Sequence, residues 1–423
     1  MGEERGIVMK RFGDGRDWFF QHRFGMFVHW GLYAIPAWHE QVLWRGRMRR
    51  SEYEQLQQQF DPRAFDPDAW LDVLEATGME YLCFTTKHHD GFCMWDTAFT
   101  DYSVMHTPYG KDVLAALAEA CHRRDVKLGL YYSLPDWHHP SYPNRGRHHE
   151  MFGPRAADEP DESAYLTFVR NQVEELLTNY GPVHAFFWDV NVAEFADPSL
   201  NELVRRLAPN AVINDRGPAP GDYTTPERRV PEGKAFERPT EACQSVGRES
   251  WGYRSDEDYY SSKRLMASID KIMAMGGNYL LNVGPTADGE LPQPARGKLA
   301  SIADWYTRVR ESFDGTVPCS HLLTSGETGL ARYDDVLLTR RRNTIYVHCP
   351  EDPDTDALVL DGFEIEPSRA VLLNDDRELR ITVDTVPWRW QRRPCVRLKG
   401  LPVEELTNEP MVVRLEFDPA VAE

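Results

Sequence analysis

An apolar run, Tyr81–Thr86, stops abruptly in Lys87, His88, His89 and Asp90, and Gly91 then permits a sharp turn. Side chains alternate across a strand, so four consecutive polar groups do not share one core face. The cluster therefore marks a strand end at the rim of a site. Other apolar runs end the same way, in His29-Trp30-Gly31, Tyr131-Tyr132-Ser133, Trp188-Asp189, Asn214-Asp215-Arg216 and Asn282-Val283-Gly284-Pro285. Asp189 is the sharpest of these. It follows Ala185-Phe186-Phe187-Trp188, and a buried carboxylate is costly unless it has a partner or a task. A salt bridge to Arg216 or a loop cap is the plain structural alternative.

Two chemistries and one purely binding role fit this collection. Hydrolysis of a glycosidic bond needs one ionised carboxylate and a second carboxyl group that stays protonated. Candidates for the second are Glu227, in a Thr/Pro-rich turn, and Glu241, at the start of an apolar run; the residues alone do not rank them. A metal hydrolase needs at least three converging ligands, a number that His29, His88, His89 and Asp189 supply. His88 and His89 reach one ion only if the chain bends between them. Sugar recognition calls for donors and acceptors around ring hydroxyls and an aromatic platform, and the chain carries 12 Trp and 18 Tyr. Asp90 reads as structural, holding a neighbouring His or the turn before Gly91.

The elements that must position these residues alternate. Strand-like runs at Phe24–Trp30, Tyr81–Thr86, Lys127–Tyr132, Ala185–Trp188, Ala211–Asn214 and Tyr279–Val283 are separated by helical patterns. The helical patterns are Pro67–Thr77, Lys111–Arg124, Glu162–Asn179, Ser199–Leu207, Asp256–Met275 and Gln293–Ser312. Repeated βα units predict a parallel sheet flanked by helices, and polar clusters at the strand ends favour a (β/α)8-like barrel over a doubly wound sheet. The sixth and eighth strands are poorly marked, which predicts an irregular barrel. After about residue 320, short β-rich runs separated by Asp, Gly, Asn and Pro turns predict an antiparallel β-sandwich. The expected division is a catalytic barrel over 1–318 and an accessory sandwich over 319–423.

A formal charge of −19 argues against nucleic acid or an anionic membrane as partner. Seven Cys without CxxC spacing predict reduced thiols, not a disulfide framework or a zinc site. Met1–Arg16 is charged and has no hydrophobic stretch, and no later segment has the length of a membrane span, so the expected compartment is the cytoplasm. Arg45–Arg50 reads as a solvated helix face, with an aglycone channel as the alternative. The oligomeric state, a homo-oligomer included, is left open.

Taken in order, five motifs resemble the α-L-fucosidase family of retaining glycoside hydrolases. They are Phe24–Gly31, Thr86–Phe92, Tyr131–Ser133, Ser250–Tyr253 and Gly276–Pro285. The resemblance implies a barrel with a C-terminal β-sandwich, no cofactor, and a fucosylated oligosaccharide or glycoside as substrate. It implies Asp189 as nucleophile, with His29, His88, His89 and Tyr131 gripping fucose hydroxyls and Trp188 and Trp251 as aromatic neighbours of the sugar. Arg216 matches an Arg near the nucleophile, and Glu227 matches the acid/base of one large branch, with Glu241 as second choice. The chain also departs from the pattern. Phe187 stands where Trp is usual, Val190 follows the nucleophile where Gly is common, and Leu43-Trp44 stands in place of Glu-Trp, for which Glu40 is a candidate substitute. The rival expectations are a metal-dependent hydrolase and a catalytically silent sugar-binding protein.

Overall fold

Seven parallel strands carry the site. A computed structural model describes residues 9–143, 151–323, 336–360, 366–385 and 395–418. The strands are β1 (Phe24–Val28), β2 (Tyr81–Lys87), β3 (Lys127–Ser133), β4 (Ala185–Asp189), β5 (Val212–Ile213), β6 (Glu241–Ser245) and β7 (Asn278–Val283). They form one curled sheet in the order β5-β4-β3-β2-β1-β7-β6. Its two ends are joined by single parallel bridges, Asn214 to Tyr223, Thr224 to Thr240 and Glu227 to Cys243. The irregular segment 223–227 therefore takes the place of an eighth stave in this (β/α)8-like barrel. No strand pattern announces it, because its bridges are isolated and no continuous ladder forms.

Helices α1 (Pro67–Ala76), α2 (Val113–Arg123), α3 (Glu162–Asn179), α4 (Pro198–Leu207), α5 (Ser262–Ala274) and α6 (Gln293–Val309) pack outside the sheet. Their starts are written locally. Asp66, Asp112, Asp161 and Asp197 each accept a hydrogen bond from a backbone N–H of the first turn, and Pro67 and Pro198 follow two of these caps. The expected helix from Asp256 begins instead at Ser262. Ser261 caps it, while the N–H of Tyr260 bonds to the carbonyl of Val246 and keeps the lead-in against the barrel.

Two antiparallel sheets follow. One contains β8 (Val317–Pro318), β9 (Leu337–Arg341), β10 (Thr344–Cys349), β12 (Arg369–Leu372), β13 (Arg377–Glu378) and β16 (Met411–Glu416); the other contains β11 (Ala357–Leu360), β14 (Arg380–Asp384) and β15 (Cys395–Lys399). They enclose a core of their own that includes Leu338, Val347, Leu360, Leu398 and Val413. The first strand of this part, β8, lies just before the expected boundary at 318. Helix α6 ties the two parts together, its Trp305 Nε1 donating to the carbonyl of Pro410 at 3.1 Å. Among the described residues, no helix is long and apolar enough to cross a membrane.

Candidate active site

Alternation along the strands divides inner from outer side chains. Phe27 of β1, Tyr131 of β3 and Phe187 of β4 point into the barrel and pack on one another, with ring centroids 5.3 to 5.9 Å apart. They form an aromatic floor. Above it, at the C-terminal ends of the strands, lies a cavity of about 100 Å³. That is well below the roughly 300–1,000 Å³ of drug-sized pockets and suits one small ring. His29, His88, His89 and Asp189 line it, as do Arg216, Glu227 and Trp251.

Asp189 ends β4 and is held on both oxygens. The Tyr131 hydroxyl donates to Oδ2 at 2.7 Å, and Arg216 Nη1 donates to Oδ1 at 3.0 Å. His89 Nε2 stands 3.8 Å from Oδ2. Burial alone would raise the pKa of this carboxyl, but the Arg216 charge, then His89 and the Tyr131 donor, outweigh it and hold the group below its ordinary value. Asp189 is thus a buried, ionised carboxylate. The same Nη1 of Arg216 also donates to Glu227 Oε2 at 2.9 Å. Arg216 is itself fixed by Thr225, through the hydroxyl at 2.6 Å and the carbonyl at 2.8 Å. Glu227 sits at the mouth, its side chain 42% exposed.

Strand β2 loses its regular register between Thr85 and Lys87, and the chain bends beyond it. That bend lets both His88 and His89 face the cavity, with ring centroids 4.1 Å apart. Gly91 turns the chain at φ +83°. Lys87 points away from the cavity and pairs with buried Asp136 at 3.0 Å, and Asp90 accepts from the Tyr53 hydroxyl at 2.6 Å. Both are structural.

The hydrogen-bond network assigns a tautomer to His29. Asn282 donates through Nδ2 to Ser245 and to the Trp251 carbonyl, so its Oδ1 accepts from His29 Nδ1 at 2.7 Å. Burial pushes the His29 pKa down to about 4, so the ring is neutral near pH 7 and its Nε2 is an acceptor. His89 is oriented similarly. Ser133 donates to the Pro135 carbonyl and accepts from His89 Nδ1 at 2.7 Å, leaving Nε2 toward Asp189.

Trp251 stacks on His29 at 5.3 Å and 30°. Its loop reaches that position through a close backbone approach. A Cβ at Gly284 would lie 2.4 Å from the carbonyl carbon of Gly252, so glycine is required where the Trp251 loop meets the end of β7.

Three sequence-based expectations need correction. Trp188 does not face the cavity. It alternates to the outer face of β4, is fully buried, and donates from Nε1 to Asn201 of α4 at 2.9 Å. Phe187 takes the inner position. Glu241 is not at the catalytic rim. It lies at the N-terminal start of β6, paired in register with Asn278 at the start of β7, and accepts from the Tyr81 hydroxyl at 2.6 Å. Leu43 and Trp44 do not line the cavity. Leu43 is in the core and Trp44 packs against it, whereas Glu40 and Gln41 line the cavity. Glu40 accepts from Ser250 Oγ and Trp251 N, each at 2.9 Å. Burial would raise its pKa, but His39 and that backbone donor leave it below the ordinary value.

The Arg45–Arg50 stretch is not one helix face. Arg45, Arg47 and Arg49 are exposed, but Arg50 is buried on Asp158 and on the Trp137 carbonyl, so its side chain is structural. Phe27 and Phe187 were legible from the period-2 spacing to His29 and Asp189. Gln41 gave no local signal, because it stands in an irregular connection. Among the described residues, no three His, Cys, Asp or Glu side chains are disposed to hold a metal ion.

The family profile described as alpha-L-fucosidase matches residues 13–311. The chain belongs to the alpha-L-fucosidase family. The tissue alpha-L-fucosidase of Macaca fascicularis is 27% identical over 431 residues, covering 95% of this chain and 86% of that protein. Among solved structures, alpha-L-fucosidase isoenzyme 1 from Paenibacillus thiaminolyticus is 32% identical with a TM-score of 0.81, covering 96% of this chain and all of that one. A Bacteroides thetaiotaomicron alpha-L-fucosidase, solved as a trapped covalent intermediate, is 26% identical with a TM-score of 0.78 over 97% of both chains. Val190, directly after Asp189, takes φ +52°, a left-handed conformation costly for a β-branched residue and easy for Gly.

Proposed function

We propose that the protein is a retaining exo-glycosidase that releases terminal α-L-fucose, or a closely related sugar, by double displacement. Family membership and the trapped covalent intermediate of the Bacteroides relative support the reaction class. The observation that carries the assignment of residues is the single Arg216 nitrogen shared by Asp189 and Glu227. The two bonds laid end to end set the greatest separation of Oδ1 and Oε2. That limit falls short of the roughly 6.5–9.5 Å of inverting enzymes and accommodates the about 5–5.5 Å of retaining ones.

In the first step, Asp189 forms a bond to the anomeric carbon as the glycosidic C–O bond breaks, and Glu227 gives its proton to the departing oxygen. In the second, Glu227 takes a proton from water, the water oxygen bonds to the anomeric carbon, and Asp189 leaves as a carboxylate. His29 Nε2, as acceptor, and the neighbouring His88 and His89 hold ring hydroxyls, while Trp251 covers an apolar face of the sugar. Release of 4-nitrophenol from an aryl α-L-fucoside tests the activity. Loss of turnover in Asp189→Gly with partial rescue by azide tests the nucleophile; normal turnover in that variant would overturn the mechanism. We also propose a cytoplasmic location, supported by six buried cysteines that form no disulfide, Cys83, Cys93, Cys121, Cys243, Cys319 and Cys349, and testable by cell fractionation.

A further inference from the structure

The segment from Asn214 to Thr240 forms no helix, and the ring of helices around the barrel is open beside β6. A second cavity, about 330 Å³, fills this gap between β6, α5 and the turn after β10. Its lining carries four cations. Arg228 and Arg229 come from the chain just beyond Glu227, and Arg264 and Lys271 lie seven residues apart on one face of α5. Among the described residues none of the four forms an ion pair, and Glu351 is the single carboxylate in the lining. Arg228 donates to the Arg248 carbonyl and Arg264 lies over the Tyr260 ring, but in a chain of net charge −19 four cations without a carboxylate partner around one concavity are an electrostatic exception. A cleft lined by one sign of charge concentrates ligands of the other.

This cavity adjoins the candidate active site. Cys243 lines both. Arg228 directly follows Glu227, turns the chain at φ +55° and donates its backbone N–H to the Cys243 carbonyl at 3.0 Å. Its guanidinium lies 4.5 Å from the ring centroid of Trp251, the residue that covers the sugar site. Arg228 thus lines the basic cavity while its guanidinium reaches Trp251 of the candidate active site. We infer that this cavity is a subsite for an anionic substituent, a sulfate ester or a carboxylate, on the aglycone of the fucoside. The inference rests on the glycosidase reading above and adds the class of substrate that reading leaves open.

The test compares 4-nitrophenyl α-L-fucoside with three fucosyl disaccharides whose reducing-side sugar is neutral, sulfated or carboxylated. Hydrolysis of the aryl fucoside establishes the activity by itself, so its absence would count against the glycosidase reading and not specifically against this subsite. The subsite predicts that at least one anionic disaccharide is preferred over the neutral one by about tenfold in kcat/KM, mainly through KM. It also predicts that the preference shrinks as salt is raised from low to physiological ionic strength. Arg264→Ala/Lys271→Ala should abolish the preference while hydrolysing the aryl fucoside within about twofold of the parent. Equal kcat/KM for neutral and anionic disaccharides in the parent enzyme would overturn the inference without any variant. So would inorganic sulfate that alters aryl fucoside turnover to the same degree as that of the sulfated disaccharide, since that marks a site for a free ion and not for the aglycone.

Discussion

The hydroxyl of Tyr131 donates to Oδ2 of Asp189 at 2.7 Å where β3 and β4 end side by side, Ser133 lying opposite Asp189 in the ladder. The tyrosine is buried and its own pKa is raised, by burial first and then by Asp189, so it stays a donor throughout the working pH range. The bond favours the ionised form of Asp189. Tyr131→Phe removes it and raises the pKa of the carboxyl. Because Asp189 must be ionised to attack, the acid limb of kcat/KM against pH should move to higher pH, with a loss of about tenfold at neutral pH. A pH–rate profile with the aryl fucoside measures both.

Glu241 should behave as a stability group and not as the acid/base. Burial raises its pKa to about 7 from an ordinary 4.5, with Tyr81 and Tyr223 opposing only in part. The folded state keeps the proton up to about pH 7, whereas the unfolded chain releases it near 4.5. Glu241 therefore destabilises the fold progressively as pH rises through that interval, by on the order of 3 kcal/mol. Glu241→Gln should flatten that part of the stability profile, measured by denaturant titration, and should keep near-parental turnover. Loss of turnover by orders of magnitude would restore Glu241 as a catalytic candidate.

The strain at Val190 should be measurable. A β-branched residue at φ +52° costs about 1–3 kcal/mol, from which the greater freedom of Gly in the unfolded chain subtracts. Val190→Gly should raise the denaturation midpoint by the equivalent of about 1 kcal/mol. A lower midpoint would show that the packing of this side chain outweighs its backbone strain.

Helix α5 and β10 meet at a fully buried pair, Asp270 Oδ1 and His348 Nδ1 at 2.7 Å, and His348 Nε2 bonds to Thr339 Oγ1 at 2.9 Å. Asp270→Ala leaves His348 with a buried nitrogen and no partner at the junction of barrel and sandwich. The expected loss is about 2–4 kcal/mol in denaturant titration, with the aryl fucoside KM unchanged.

Local pattern accounts for much of what the chain disclosed. Glu162–Asn179 matches its expected limits because its cap and periodicity are written within the element itself. The strand ends disclosed His29, His88, His89 and Asp189 for the same reason, since a polar residue that closes an apolar strand declares itself locally. Depth along the barrel is a different matter. Glu227 and Glu241 stand fourteen positions apart beside the same strand, and only the pairing of Glu241 with Asn278 sends it to the far end of β6 while Glu227 reaches Arg216. The inner place of Phe187 followed from alternation once Asp189 was set, but Glu40 and Gln41 reach the cavity from an irregular connection with no period to read. The sequence by itself determined which residues close the strands, because that depends on neighbours in the chain. Tertiary structure decided which two carboxylates share a nitrogen, because that depends on how distant segments 185–189 and 223–227 close the barrel.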